Sequence, residues 1–166
     1  ATMSYGYGVS VTALQLARAY AAIANHGELQ PISLKRVSQT PPSTQLVSRQ
    51  IADSLFPMME SVISSEGTAI KASVPGYRIA GKTGTAHKAK GGGYAKNEYM
   101  SLFAGFAPVA DPRVAMVVIM DGAKKGRYYG GAVSAPVFSR VMAETLRLMN
   151  IPLDKSLDAP VKVNTT

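Results

Sequence analysis

The sequence predicts an α+β fold in which an antiparallel sheet of three strands is covered by helices on both faces. Two observations carry this expectation. In the strand-sized run Arg113–Asp121, Val114, Met116, Val118 and Met120 alternate with Ala115, Val117 and Ile119, so both faces are apolar and both need cover. Helix-period segments lie before the strand-like stretches and after them, each opening on a cap or proline signal. No internal repeat interrupts this order.

Taken from the start, Tyr5-Gly6-Tyr7-Gly8 reads as a Gly-rich loop. Thr12-Ala13-Leu14-Gln15 fits a capping box, with Thr12 accepting from a free amide and Gln15 reaching back. The helix it opens runs to about Asn25-His26, and Gly27 suits the left-handed cap position. His26 is read as a favourable contact with the helix dipole. Leu14, Leu16, Ala17, Tyr20, Ala21, Ile23 and Ala24 make the helix apolar nearly all round, which requires burial in a domain larger than a two-layer fragment.

Residues 29–38 read as an extended segment, and Thr40-Pro41-Pro42-Ser43 as a turn. Ser48 caps a second predicted helix through Ile63, with Ile51, Leu55, Met58, Met59 and Val62 at helical spacing and Pro57 as its weak point. Glu66-Gly67-Thr68-Ala69 ends it and starts a short further turn. Residues 77–86 read as a strand, with Tyr77, Ile79 and Gly81 facing one way and Arg78, Ala80 and Lys82 the other. Ala89–Asn97 is a basic, Gly-rich hairpin connection. Tyr99–Ala107 and Arg113–Asp121 are two further strands, joined through Pro108–Pro112. The last helix is expected near Ser134-Ala135-Pro136, with the proline in its first turn. Its packed face would hold Val137, Phe138, Val141, Met142, Thr145, Leu146 and Met149, and its wet face Ser139, Arg140, Glu144 and Arg147. Residues 153–166 lack periodicity and are expected to fray.

Composition bounds the function. A chain of 166 residues, 46% of them hydrophobic, fits one domain or a large part of one. The absence of cysteine fits a compartment where thiols are a liability and equally fits chance. The net charge of +8 is not clustered as it usually is in nucleic-acid binders; six of the cations fall in two Gly-containing loops, Lys88, Lys90 and Lys96, then Lys124, Lys125 and Arg127. These read as solvated loops, so no nucleic-acid partner is expected. The longest apolar run, Val114–Met120, is far short of the ~18–20 residues that span a bilayer, and no basic-then-apolar leader opens the chain.

The stretch that carries chemistry is Lys82-Thr83-Gly84-Thr85. It sets one ammonium and two hydroxyls around a residue with no side chain, where another molecule can approach the backbone closely. Such a strand edge offers main-chain hydrogen bonds to an extended peptide, and a cation with hydroxyls to a carboxylate. Gly76–Thr83 also matches the phosphate-loop pattern G-x-x-x-x-G-K-[ST] letter for letter. That loop must follow a strand and open a helix, whereas Pro75 precedes this one and Gly84 and Gly91-Gly92-Gly93 follow it, so a helix starts poorly there.

The run Gly81-Lys82-Thr83-Gly84-Thr85-Ala86 resembles the third motif of the serine penicillin-recognising enzymes. So do its surroundings: Ser4–Gly8 with Val11–Ala17, then Ser101–Pro108, Tyr128-Tyr129-Gly130-Gly131 and Ala135-Pro136-Val137-Phe138. Together they resemble the division-specific class B penicillin-binding proteins of Gram-negative bacteria, the penicillin-binding protein 3 type. The likeness covers residues 1–152, leaving 153–166 as a tail. One departure matters. The family's nucleophile sits in Ser-x-x-Lys and its second motif is Ser-x-Asn, and no Lys or Asn here has a Ser at the required offset. Thr68-Ala69-Ile70-Lys71 and Thr85-Ala86-His87-Lys88 carry Thr instead.

The resemblance therefore implies the C-terminal part of a transpeptidase domain of the penicillin-binding-protein and β-lactamase-like fold, with the nucleophile in an upstream part of the same protein. It implies peptidoglycan D,D-transpeptidation at the septum and acylation by β-lactams, on the periplasmic side of an inner membrane held by an N-terminal helix outside this sequence. The expected partners are peptidoglycan stem peptides, β-lactam antibiotics and other division proteins; no cofactor or metal is expected. Lys82 would hold positive charge near the substrate carboxylate and the catalytic hydroxyl, Thr83 and Thr85 would bind that carboxylate, and the Thr85 amide would form half of the oxyanion hole. Gly84 allows close approach, and Tyr99, Tyr128 and Tyr129 would form an aromatic wall. His87, two beyond Thr85 on the same side of the strand, either reaches a ligand's edge or simply sits exposed. The alternatives are a serine β-lactamase, which shares the third motif, and a non-catalytic binding module that docks onto a partner.

Overall fold

The computed structural model describes residues 9–90, 93–123 and 128–155. Helix α1 is Ala13–Ala24, the two-residue strands β1 (Glu28–Leu29) and β2 (Thr44–Gln45) pair antiparallel, and α2 is Arg49–Ser61. After a 3₁₀ turn at Ile70–Ala72 come β3 (Ala80–Lys90), β4 (Gly93–Ala107) and β5 (Val114–Ala123), and α3 (Gly130–Leu148) closes the order. The three long strands form one antiparallel sheet in the order β3-β4-β5. Helices cover both of its faces, as the doubly apolar pattern of β5 requires.

Cross-strand register sorts the faces. Thr83 lies opposite Phe103, and Phe103 opposite Val118; Thr85 lies opposite Ser101. On this face Phe103 meets Phe138 of α3 edge-on, with ring centroids 4.7 Å apart. Phe103, Phe138, Met142 and Leu146 are fully buried there, each contributing roughly 1.5–3 kcal/mol by leaving water. On the other face Phe56 of α2 packs on Phe106 at 4.9 Å, joined by Ala24, Ala80 and Val109.

Helix α1 opens on the capping box read in the sequence: Thr12 Oγ1 accepts from Gln15 N at 3.2 Å and Gln15 Oε1 from Thr12 N at 2.8 Å. Ser48 caps α2 through Ile51 N. The short turn after Glu66–Ala69 is the 3₁₀ segment.

Several expectations need correction. Within this chain α1 buries Ala22 and Ala24 and leaves Leu14 56% exposed, so the wider cover expected for its apolar faces is not made by the described residues. His26 is not a dipole contact. It adopts a left-handed φ of 55°, ahead of Gly27 at 89°, its Nδ1 lies 2.5 Å from Asp53 Oδ1, and its ring stacks on Phe56. The buried stripe of α2 runs through Ala52 and Phe56, while Ile51 and Met58 are exposed. Of the segment 29–38 only Leu29 lies in a strand, β1.

Strand β3 starts at Ala80, not Tyr77, because Gly76 turns the chain at φ 78° and Val74 bridges back to Tyr77. The hairpin after it is shorter than the basic loop 89–97, since β3 runs to Lys90 and β4 starts at Gly93. Helix α3 begins at Gly130, not Ser134, and Pro136 lies inside it. Val137, Val141 and Met149 are exposed, so the packed stripe is Ser134, Ala135, Phe138, Met142 and Leu146. Residues 153–155 do not fray: Lys155 N donates to Gly76 O, and Asp154 accepts from Arg78 N at 2.7 Å and Ala110 N at 3.0 Å. The loop at Tyr5–Gly8, the cations Lys124, Lys125 and Arg127, and the tail from residue 156 lie outside the described residues. Among the described residues, no helix is long and apolar enough to cross a membrane.

Candidate active site at the edge of strand β3

Strand β3 is an outer strand of its sheet. Its far edge pairs with no strand among the described residues, so its main-chain groups there are open to a ligand strand. Its root is fixed from three directions. Arg78 makes a fork to Glu60, with Nε to Oε1 at 2.7 Å and Nη2 to Oε2 at 2.6 Å. Asp154 holds the Arg78 amide, and Val109 N donates to Arg78 O at 3.1 Å. Glu60 raises the guanidinium above its usual value, chiefly through the hydrogen bond.

Beyond that root the phosphate-loop reading fails on geometry. Gly81-Lys82-Thr83 lies within a strand that continues to Lys90, and no helix opens there.

Lys82 and Thr83 start on opposite faces of the strand, yet the ammonium reaches round the edge. Lys82 Nζ donates to Thr83 O and to Thr83 Oγ1, both at 3.2 Å. Thr83 Oγ1 in turn lies 3.2 Å from Thr68 Oγ1. Lys82 is exposed and Thr83 half-buried. One cation and two hydroxyls thus converge on the open edge, as an arriving carboxylate requires.

Thr85 is tied to helix α3. Gly130 N, the first amide of the helix, donates to Thr85 Oγ1 at 3.2 Å. The N-cap residue Tyr129 supplies no side-chain bond, so Thr85 serves as the cap from across the sheet. The hydroxyl keeps its own proton to donate, and the positive end of a 19-residue helix stands behind it. This docking explains the early start of α3. A Cβ at Gly130 would sit 2.2 Å from Leu102 O and 2.8 Å from Gly84 O, and one at Gly131 1.9 Å from Thr68 O. Only glycines let the helix end touch the strand. The close approach expected at Gly84 is therefore made, on this face, by the chain's own Gly130.

The aromatic residues form a continuous ladder. His87 and Tyr99 rings lie 4.6 Å apart, Tyr99 and Tyr128 stack at 4.0 Å with 11° between planes, and Tyr128 and Tyr129 lie at 4.4 Å. Tyr128 Oη donates to Tyr129 Oη at 3.2 Å, and that bond first, then the neighbouring phenol's charge, pushes the Tyr128 phenol above its usual value. Tyr129 is 61% exposed at the end of the ladder. Beside it, Lys88 pairs with Asp121 at 2.7 Å.

Two serines that sequence reading left without a role have one here. Ser101 and Ser134 are fully buried. Ser101 Oγ donates to Tyr128 O, and Ser134 Oγ to Ser101 O at 3.0 Å. They tie the ladder and α3 to β4. Also missed were Thr68, which meets Thr83, and the root pair Glu60 and Asp154. Thr68 sits in a turn without periodicity, and long-range partners of Arg78 leave no local pattern.

Comparison with known proteins agrees with this architecture. The family described as the penicillin binding protein transpeptidase domain matches residues 1–143. The chain is 44% identical over 160 residues to the probable peptidoglycan D,D-transpeptidase PbpC of Pseudomonas aeruginosa, covering 96% of this chain and 28% of that protein. It is 47% identical over 154 residues to the peptidoglycan D,D-transpeptidase FtsI of Escherichia coli, covering 93% of this chain and 26% of that protein. The transpeptidase domain of Burkholderia pseudomallei penicillin-binding protein 3 superposes with a TM-score of 0.85 at 45% identity, over 93% of this chain and 47% of that one. The chain thus spans about a quarter of those two relatives and just under half of the solved domain. With the helix-covered antiparallel sheet and the Lys-Thr-Gly-Thr strand at its edge, these matches lead to one conclusion: the chain belongs to the transpeptidase family of the penicillin-binding proteins.

Proposed function

We propose that this chain is the substrate-binding half of a serine peptidoglycan D,D-transpeptidase acting in septal wall synthesis. In the reaction a serine attacks the penultimate D-alanine carbonyl of a stem peptide and releases the last D-alanine. The acyl group then passes to an amine of a second stem. The observation that carries the reading is the convergence of Lys82 Nζ, Thr83 Oγ1 and the helix-backed Thr85 on one open strand edge.

Lys82, Thr83 and Thr85 bind the terminal carboxylate, and the Thr85 amide is one oxyanion-hole donor, where a lost donor costs roughly 3–4 kcal/mol of barrier. Gly84 carries the strand past the ligand. His87, Tyr99, Tyr128 and Tyr129 form the wall against which the donor's side chain, or that of a β-lactam, lies. The nucleophile belongs to the upstream part of the same protein, since no Ser-x-x-Lys occurs in this sequence. Residues 1–152 serve as transpeptidase, and the segment from 153 begins as a strap that Asp154 pins to the root of β3. The names of the relatives, peptidoglycan D,D-transpeptidases, support this reading; for this protein, anchoring at the periplasmic face of the inner membrane and contact with other division proteins belong to it.

The test is the intact mass of the full-length protein after penicillin treatment. A long-lived stoichiometric adduct is expected. Rapid turnover of the penicillin would identify a serine β-lactamase instead, and no adduct at all would leave a binding module.

A further inference from the structure

Thr83 Oγ1 stands between two other polar groups. It accepts from Lys82 Nζ at 3.2 Å, and it lies 3.2 Å from Thr68 Oγ1, a contact in which either hydroxyl can be the donor. A threonine hydroxyl has one proton and two lone pairs, so the direction of the second contact decides what Thr83 offers a ligand. If Thr83 donates to Thr68, its proton is spent and only a lone pair is left over. If Thr68 donates, Lys82 and Thr68 fill both lone pairs, and the Thr83 proton is what remains.

The fold holds Thr68 at this position from two sides. Its turn closes on the end of α2: Gly67 N donates to Ser64 O at 3.0 Å and Ala69 N to Val62 O at 2.9 Å, and Ala69 is buried. From the other side α3 comes so close that a Cβ at Gly131 would lie 1.9 Å from Thr68 O and 3.6 Å from Thr83 Cγ2. The end of α2 and the start of α3 thus set Thr68 beside Thr83.

We propose that Thr68 is a positioning residue for the acyl-donor substrate: it donates to Thr83 Oγ1 and so commits the Thr83 hydroxyl to donate toward the terminal carboxylate. An ionised carboxylate only accepts, so it meets a partner in this arrangement and a lone pair in the other. A carboxamide has one acceptor oxygen where the carboxylate has two, and its N–H groups find no lone pair on Thr83. Thr68 therefore adds to the selection of a free terminal carboxylate, beyond the attraction of the Lys82 charge. The inference rests on the transpeptidase reading of the same strand.

The experiment measures acylation of the full-length protein by benzylpenicillin and by the same penicillin with its carboxylate converted to a carboxamide, following the adduct by intact mass. Thr68→Val keeps the side-chain shape and removes the hydroxyl. The ratio of the two acylation constants, carboxylate over carboxamide, is expected to fall about five- to tenfold in Thr68→Val, the worth of one hydrogen bond beside a charge, and to stay within about twofold of wild type in Thr68→Ser. Thr68→Ala, which adds no bulk, should show the same fall as Thr68→Val. A ratio unchanged in Thr68→Val and Thr68→Ala overturns the proposal, whether or not both constants drop, and so does a Thr68→Ser that behaves like Thr68→Val. A wild-type protein that forms no adduct with benzylpenicillin would instead bring down the transpeptidase reading beneath it.

Discussion

The two ends of strand β3 are built on opposite plans. At its root Arg78 is held by a fork to Glu60, an amide bond to Asp154 and a carbonyl bond from Val109, and Ile79 and Ala80 are buried. Four residues on, Lys82 and Thr83 bond chiefly to each other and to Thr68 across an open edge. The root spends its polar groups on the fold, whereas the tip keeps its groups within reach of a ligand. The strand is clamped four residues before its tip and from behind by α3, so the tip can leave its polar groups on the open edge.

The sharpest way to break this contrast is at the tip. Lys82→Ala in the full-length protein should slow acylation by penicillin on the order of a hundredfold while the melting temperature moves by no more than about 2 °C, since an exposed strand-end lysine adds little to stability. Stopped-flow acylation beside calorimetry reads both. A large loss of melting temperature with normal acylation would make Lys82 structural.

Gly131→Ala should move both quantities, because its Cβ would fall 1.9 Å from Thr68 O and push α3 off the strand. A destabilisation of about 1–3 kcal/mol, together with slower acylation, is expected from denaturant melts and the same kinetic assay. If only stability falls, the helix end behind Thr85 contributes nothing to the site.

At the root, Asp154→Ala leaves two amides without their acceptor, at a cost of about 1–3 kcal/mol, or roughly 2–4 °C of melting temperature for each kcal/mol in a domain of this size. Acylation by penicillin should change much less. Thermal melts showing no shift would mean that the C-terminal strap is dispensable.

Much of this contrast was legible in the sequence and part of it was not. The three strands and the covering of both faces follow from local alternation, and both N-terminal helix caps from Thr12 and Ser48. The residues of the tip stand together in the chain, so Lys82, Thr83 and Thr85 were visible as one group. The root was not, since Glu60 and Asp154 lie 18 and 76 residues from Arg78 and nothing local announces either. The start of α3 was misjudged for a related reason. Pro136 is a strong start signal on local grounds, but the glycines at 130 and 131 serve a contact with a strand far back in the chain.

The aromatic ladder should yield a smaller effect. Tyr129→Ala should weaken β-lactams with bulky apolar side chains by about 0.5–1.5 kcal/mol, and small ones less, because lost aromatic contact scales with covered area. Equal losses across a series of acylation constants would remove the tyrosines from the wall. The smallest effect is expected at the far side of the fold. His26 holds the Asp53 carboxyl below its usual value, first through their hydrogen bond, with Arg49 adding to it. A carboxyl lowered on folding stabilises above its unfolded value, near 3.8, and loses that contribution as pH falls through the folded one. The stability gap between wild type and Asp53→Asn should therefore close in acid below about pH 4. A gap that stays constant would show that the pairing carries no weight.

The division of labour between this chain and the rest of its protein is tested most directly by mapping the adduct. The full-length protein is labelled with penicillin, digested and sequenced by mass spectrometry. The adduct is expected on one serine outside residues 1–166, with a Lys three positions on, and its formation should be strongly slowed in Lys82→Ala. A stoichiometric adduct on a serine of this chain, Ser101 or Ser134 being the first to inspect, would contradict the account.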